Sequence, residues 1–347
     1  MTSGNMKDLI VIHGADRTQC GFQRFVLPTM MHQTSLTANV HVELRSFPVT
    51  DPNELKRLVS VVIVRPADHN WKGTIAYYTQ KRQFYGFKVM TDFDDPLWAL
   101  YPHCRQLLEE TVRGFDCAVF STRALKENFL KYYPKAPRSI VFINGVADFL
   151  YGGMRRDDGE GPNARPVVLY GGAGGHEKDF DGPWGQWLRM KVDSDEIDFH
   201  CFVTPVEPLD DKRFASKITV HPGVTPPQWG NAVTSIRPDF YIAPLEDCLV
   251  NRTKSDLKYK EACEIGAVFL GTGGPWSPYR SAPKTQLVDN SESVESLDAK
   301  FRALCEPGNF SNALRAQRDQ LTEKHSRMTD PVFIGKWLMA YGNGKES

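Results

Sequence analysis

Several things are scarce or missing in this 347-residue sequence, and each absence narrows the reading. No apolar run approaches the roughly 20 residues of a bilayer span, and the opening MTSGNMKD lacks the apolar stretch of a secretory signal. The expectation is a cytoplasmic protein with no membrane span. The seven cysteines (Cys20, Cys104, Cys117, Cys201, Cys248, Cys263, Cys305) are scattered, with no C-x-x-C pair. Reduced, buried thiols fit that spacing better than a disulfide frame or a zinc site. Net charge is also absent, because 42 basic residues balance 42 acidic ones. Bulk electrostatics therefore gives no reason to expect a nucleic-acid or membrane coat, although Lys81, Arg82, Lys88, Arg155 and Arg156 would suffice for a modest local contact. There is no repeat and no low-complexity segment. The loop 14–21 carries no good dinucleotide fingerprint, which weakens a Rossmann oxidoreductase reading.

What is present is alternation. Asp8–Gly14, Asn39–Phe47, Val61–Pro66, Phe87–Phe93, Cys117–Thr122 and Ile140–Asn144 read as strands, separated by helical stretches that include 22–33, 71–85 and about 98–113. That is the pattern of a doubly wound parallel sheet. The polar, Gly- and Pro-rich stretch 151–165 reads as a linker, so the first domain is expected over 1–150. The alternation restarts with Val167–Tyr170, Phe199–Thr204, Ile218–Val220, Asp239–Leu245 and Ala267–Gly271, giving a second domain over 166–328. The chain turns wholly helical after Asn290 and ends with a helix within 329–347.

The stretch Asn251–Thr272 organises the chemistry. Ser255 is a good N-cap and Gly266 a good stop, so a helix is expected to start there and to follow the strand DFYIAPL. At helical spacing Lys254, Lys258 and Glu261 share one face, with cations near the helix start and an acceptor one turn deeper. That layout suits a diphosphate beside a sugar hydroxyl; the plain alternative is a solvated face of weak ion pairs. The turn Tyr170–His176, with Gly172, Gly174 and Gly175, is a second candidate anion cradle, and His176 and Asp179 follow it. Asp92, Asp94 and Asp95 crowd the end of the fourth strand, which suits a metal, a general base or a cap for the helix begun at Pro96. Arg24, early in the first helix after the first strand and its loop, and Trp98 are candidates for lining a cleft on the acceptor side.

These residues resemble the GT-B nucleotide-sugar glycosyltransferases, in particular the large retaining group and its divergent phage and bacterial members. The resemblance spans most of the chain: QCGFQRFVLP, KVMTDFDDPLW, CAVFSTRAL, IVFINGV, the glycine turn, and most specifically APLEDCLVNRTKSDLKYKEACEIGAVFLGT. It implies two Rossmann-like domains facing a cleft. The second would bind a UDP- or GDP-sugar, with Glu261 as acceptor for ribose hydroxyls and the diphosphate at the start of its helix. The last helix would cross back to the first domain. The usual pair of glutamates is incomplete, with Thr253 at the earlier position, and Lys178, Arg252, Lys254 and Lys258 are left to neutralise the diphosphate. Asp92, Asp94, Asp95 and His176 would then be catalytic or acceptor-side groups. No cofactor is required on this reading, and a divalent metal is an open question. The acceptor would be a glycan, a protein or a hydroxymethylated base in DNA. Competing readings are a metal-dependent enzyme using Asp92-x-Asp94 and a non-catalytic nucleotide- or glycan-binding protein.

Overall fold

The computed structural model describes residues 7–15, 22–33, 40–67, 70–151, 161–172, 177–202 and 216–344. The chain divides into two compact units, Met1–Gly145 with Thr253–Ser255 and Met328–Ser347, and Val146–Arg252 with Asp256–Arg327.

The first unit is built on a six-stranded parallel sheet of order β2-β1-β3-β4-β5-β6, with β1 Leu9–His13, β2 His41–Arg45, β3 Leu58–Val64, β4 Lys88–Phe93, β5 Cys117–Phe120 and β6 Arg138–Val141. β1, β3 and β5 are near-continuous apolar runs because helices cover both faces of a parallel sheet. The helical stretch expected over about 98–113 is interrupted. Pro102 has no N–H to continue the ladder, so the chain makes a short helix Leu97–Leu100 and starts again at Pro102–Thr111. The stretch 22–33 is likewise divided, into a π-helical turn Phe22–Val26 and an α-helix Leu27–Gln33. The helix Pro331–Leu338 and the turn after it pack in this unit, where Tyr341 O accepts from Ser60 Oγ at 2.5 Å and Trp337 Nε1 donates to Arg24 O at 3.0 Å.

The second unit has its own six-stranded parallel sheet, of order β12-β11-β10-β7-β8-β9. The strands are β7 Val167–Gly171, β8 Asp198–Phe202, β9 Thr219–His221, β10 Phe240–Ala243, β11 Val268–Thr272 and β12 Leu287–Val288. One face is filled by Trp184, Trp187, Phe240, Phe301 and Phe310, the other by Tyr151, Tyr241, Tyr259 and Phe269. In the stretch expected as a linker, 152–160 lies outside the described residues. Its remainder is anchored: Tyr151 is buried, and Asn163 bonds both carboxylate oxygens of Asp239 at 3.0 and 2.8 Å. The six described cysteines are free. Among the described residues no helix is long and apolar enough to cross a membrane.

Candidate functional site

In the second unit the chain begins at β7, runs outward through β8 and β9, and returns to β10 on the other side of β7. The connections leaving the carboxyl ends of the paired strands β7 and β10 therefore run to opposite sides, and such a switch point is where open α/β sheets bind ligands. β7 ends in Gly171 and Gly172. A Cβ on Gly171 would stand 2.6 Å from Tyr241 Oη and 2.7 Å from the Trp229 indole, and one on Gly172 would run into Tyr170 Oη. Both positions are glycine because aromatic rings close over the backbone there. Gly171→Ala is expected to cost about 1–3 kcal/mol in urea denaturation, as overpacking does. An unchanged midpoint would show that the rings can move aside.

The loops beyond the two strands are tied together by Asp179. Its buried carboxylate accepts from Glu246 N and Asn251 Nδ2, both at 2.8 Å. Asp179 thus braces the loop after β10 against the turn Glu177–Phe180. Lys178 beside it is exposed, while Gly174, Gly175 and His176 lie outside the described residues.

The helix beyond β10 differs from the one expected. It is two helices, Leu249–Thr253 and Leu257–Ile265, and Asp256, not Ser255, occupies the N-cap of the second without a side-chain capping bond. Ser255 Oγ instead accepts from Asn144 Nδ2 at 2.9 Å. Lys254 falls in the break, so it shares no helical face with Lys258. Arg252 is exposed and holds Asp247 at 2.5 Å.

The face carrying Glu261 is not solvated either: Tyr259 to Ile265 are all buried. Charged side chains survive there because they are paired. Lys260 holds Asp256 at 2.9 Å and Glu264 accepts from Arg327 Nε at 2.5 Å. Glu261, 8% exposed, accepts from Tyr151 Oη and Tyr241 Oη, each at 3.2 Å and each on a different carboxylate oxygen. Burial pushes its carboxyl up to about 7, against the opposing pull of Lys258, the two phenols and the Trp229 indole. The Lys258 ammonium lies 4.8 Å from the centre of the Tyr170 ring. The carboxyl ends of β7 and β10 thus present a buried carboxylate, a lysine on an aromatic face and two glycines. Tyr151, Tyr241 and Trp229 escaped the sequence reading, although a tyrosine inside the buried strand DFYIAPL signals a phenol that needs a partner.

In the first unit, several residues singled out for chemistry are structural. Trp98 is packed against Phe93, Phe120 and Phe129, and its Nε1 donates to Asn128 Oδ1 at 2.9 Å. It lines no cleft. Arg24 and Asp92 form a buried two-bond pair at 2.8 and 2.6 Å, closed by Tyr341 Oη donating to Asp92 Oδ2 at 2.7 Å. With both oxygens so engaged, Asp92 is poorly placed to act with Asp94 as a metal-binding pair. Among the described residues no cluster of three or more His, Cys, Asp or Glu is placed to hold a metal ion. Asp94 and Asp95 remain at the carboxyl end of β4, where both pair with Arg65 Nη1, at 3.0 and 2.9 Å. Neither caps the following helix by its side chain, whose N-cap is Pro96. Arg65 follows β3 at φ 47°, a left-handed conformation costly for a non-glycine residue.

No family model matches the chain, and no curated protein does. Solved structures do. HepE (Alr3699) of Anabaena, determined in complex with UDP, is 10% identical with a TM-score of 0.61, covering 97% of this chain and all of that one. Sucrose-phosphate synthase from Thermosynechococcus elongatus is 11% identical with a TM-score of 0.61 over 96% and 98% of the two chains. Trehalose 6-phosphate synthase from Burkholderia multivorans is 12% identical with a TM-score of 0.58 over 97% and 96%. With two six-stranded parallel sheets, each reversing its strand order at a switch point, and this similarity along nearly its whole length, the chain has the GT-B fold of nucleotide-sugar glycosyltransferases.

Proposed function

We propose that the protein is a glycosyltransferase that moves a sugar from a nucleotide diphosphate sugar to an acceptor hydroxyl. The observation that carries this is the Glu261 carboxylate beside Lys258 at the switch point of the second unit. On this reading Glu261 accepts the ribose hydroxyls of the donor. Lys258 and the positive end of the helix Leu257–Ile265 stabilise the diphosphate that leaves as the bond to the sugar breaks. An anionic leaving group needs no strong acid, only fixed positive charge. Gly171 and Gly172 let the Tyr241, Trp229 and Tyr170 rings close over the end of β7 and wall the site. The uracil nucleotide is favoured over guanine because HepE, the first of the similar structures, was determined with UDP, and also with UDP-glucose.

Asp94 and Asp95 are the acceptor-side groups of this proposal. Both pair with Arg65 at the carboxyl end of β4. Labelled UDP-glucose incubated with the protein should release UDP and pass its label to a glycan acceptor. Lys258→Ala should weaken UDP much more than uridine, measured by calorimetry. Equal losses for the two ligands would make Lys258 structural, and no binding of UDP to the wild type would sink the donor site. Asp94→Asn should lower transfer to the acceptor while UDP affinity stays near the wild-type value. A parallel loss of UDP affinity would move Asp94 out of the acceptor role.

A further inference from the structure

We propose that Tyr151 and Tyr241 are positioning residues for the donor, holding the Glu261 carboxylate so that its free lone pairs meet a cis-diol. This rests on the donor site proposed above. A carboxylate offers about four acceptor positions on its two oxygens. Tyr151 takes one on Oε1 and Tyr241 one on Oε2, both at 3.2 Å, so that among the hydrogen bonds of the described residues each oxygen keeps an acceptor position for a ligand. Two such acceptors side by side match the paired 2′ and 3′ hydroxyls of a ribose and give a 2′-deoxyribose only half of its bonds.

The phenols come from separate elements, Tyr151 from the turn Asp148–Tyr151 and Tyr241 from β10, so the carboxylate is clamped from two directions. Both are buried, and burial followed by the neighbouring Glu261 charge holds each phenol well above its ordinary range. They remain donors throughout the neutral range. Their second effect is on charge. Burial alone would keep Glu261 neutral, and hydrogen bonds to the ionised form oppose this. The other groups around this cluster are Lys258, which favours the Glu261 anion, Glu264 near Tyr151, the Tyr279 phenol, and the Trp229 indole from the helix Pro226–Ile236.

The test is calorimetric binding of UDP and of 2′-deoxy-UDP to the wild type and to Tyr151→Phe, Tyr241→Phe and Glu261→Gln, from about pH 6 to about pH 8. The wild type should prefer UDP and lose affinity for it as pH falls through about 7, where the carboxyl takes up a proton. Each phenylalanine variant should move that midpoint upward by about one pH unit and weaken UDP about tenfold at neutral pH, with 2′-deoxy-UDP affected less. A purely structural role would weaken both nucleotides alike and leave the midpoint in place, which overturns the proposal. If the wild type binds UDP and Glu261→Gln does not, yet both phenylalanine variants behave as wild type, the donor site stands and only the role of the phenols falls. If the wild type does not bind UDP, both fall. Isotope-edited infrared titration of the Glu261 carboxyl gives a second readout on folded protein. An unmoved titration in the phenylalanine variants also overturns the proposal.

Discussion

Glu261→Gln is expected to weaken UDP binding by about 10- to 150-fold while the protein becomes more stable at alkaline pH. The binding loss is that of a charged hydrogen bond to the ligand, about 1.5–3 kcal/mol. The gain in stability follows from burial. The Glu261 carboxyl rises from its ordinary 4.5 to about 7 in the folded protein, so the folded state binds the proton more tightly than the unfolded chain. Between those values stability falls as pH rises, and above about 7 the wild type carries the full cost of a buried charge. A shift of this size corresponds to about 3 kcal/mol. Glutamine has no proton to lose, so the difference in urea stability between variant and wild type should be small near pH 5 and grow toward pH 8. A flat difference across that range, or UDP affinity equal to wild type in the folded variant, would remove Glu261 from the donor site. Alanine is the poorer test, because the side chain is 8% exposed and its removal leaves a cavity as well as two phenols without their acceptor.

The fold was far more legible than the site. Strands such as Leu9–His13 and Val268–Thr272 are short apolar runs ended by turn residues, and their alternation with helices leaves few topologies. The site depends on pairs that sequence spacing does not reveal. Glu264 is neutralised by Arg327, 63 residues away, and Glu261 is held by a phenol 110 residues before it. The periodicity of Lys254, Lys258 and Glu261 suggested one diphosphate-binding face, with a solvated face of weak ion pairs as the plain alternative. The break at 254–256 takes Lys254 off that face, and Glu261 is buried rather than solvated. The Asp cluster shows the same limit. Three aspartates at one strand end divide into a buried ion pair for Asp92 and an arginine shared by Asp94 and Asp95, and neither Arg24 nor Arg65 is adjacent to them in the chain.

Arg24→Met should be the most damaging single change in the first unit, at about 3–5 kcal/mol, because it leaves the Asp92 carboxylate buried without its counter-charge. Arg24 is 3% exposed and Asp92 fully buried, joined by two parallel N–H···O bonds. Burial alone would lower the Arg24 pKa, but Asp92 outweighs it and the guanidinium is held charged. The remaining donors of Arg24 reach Phe142 O at 3.1 Å, Asn144 Oδ1 and the Tyr341 hydroxyl at 2.8 Å. One side chain thereby joins the N-terminal π-helical turn, the segment after β6 and the C-terminal segment of the chain. Asp92→Leu combined with Arg24→Met replaces the pair with apolar groups of similar size and should recover much of the loss, since the desolvation cost disappears with the charges. UDP affinity should be unchanged in every variant that is folded at the temperature of measurement, because the donor residues belong to the other unit. A stability loss below about 1 kcal/mol for Arg24→Met, in the range of an exposed pair, would show that water reaches Asp92. A specific loss of transfer with full stability would return Arg24 to the acceptor role that its place after β1 first suggested.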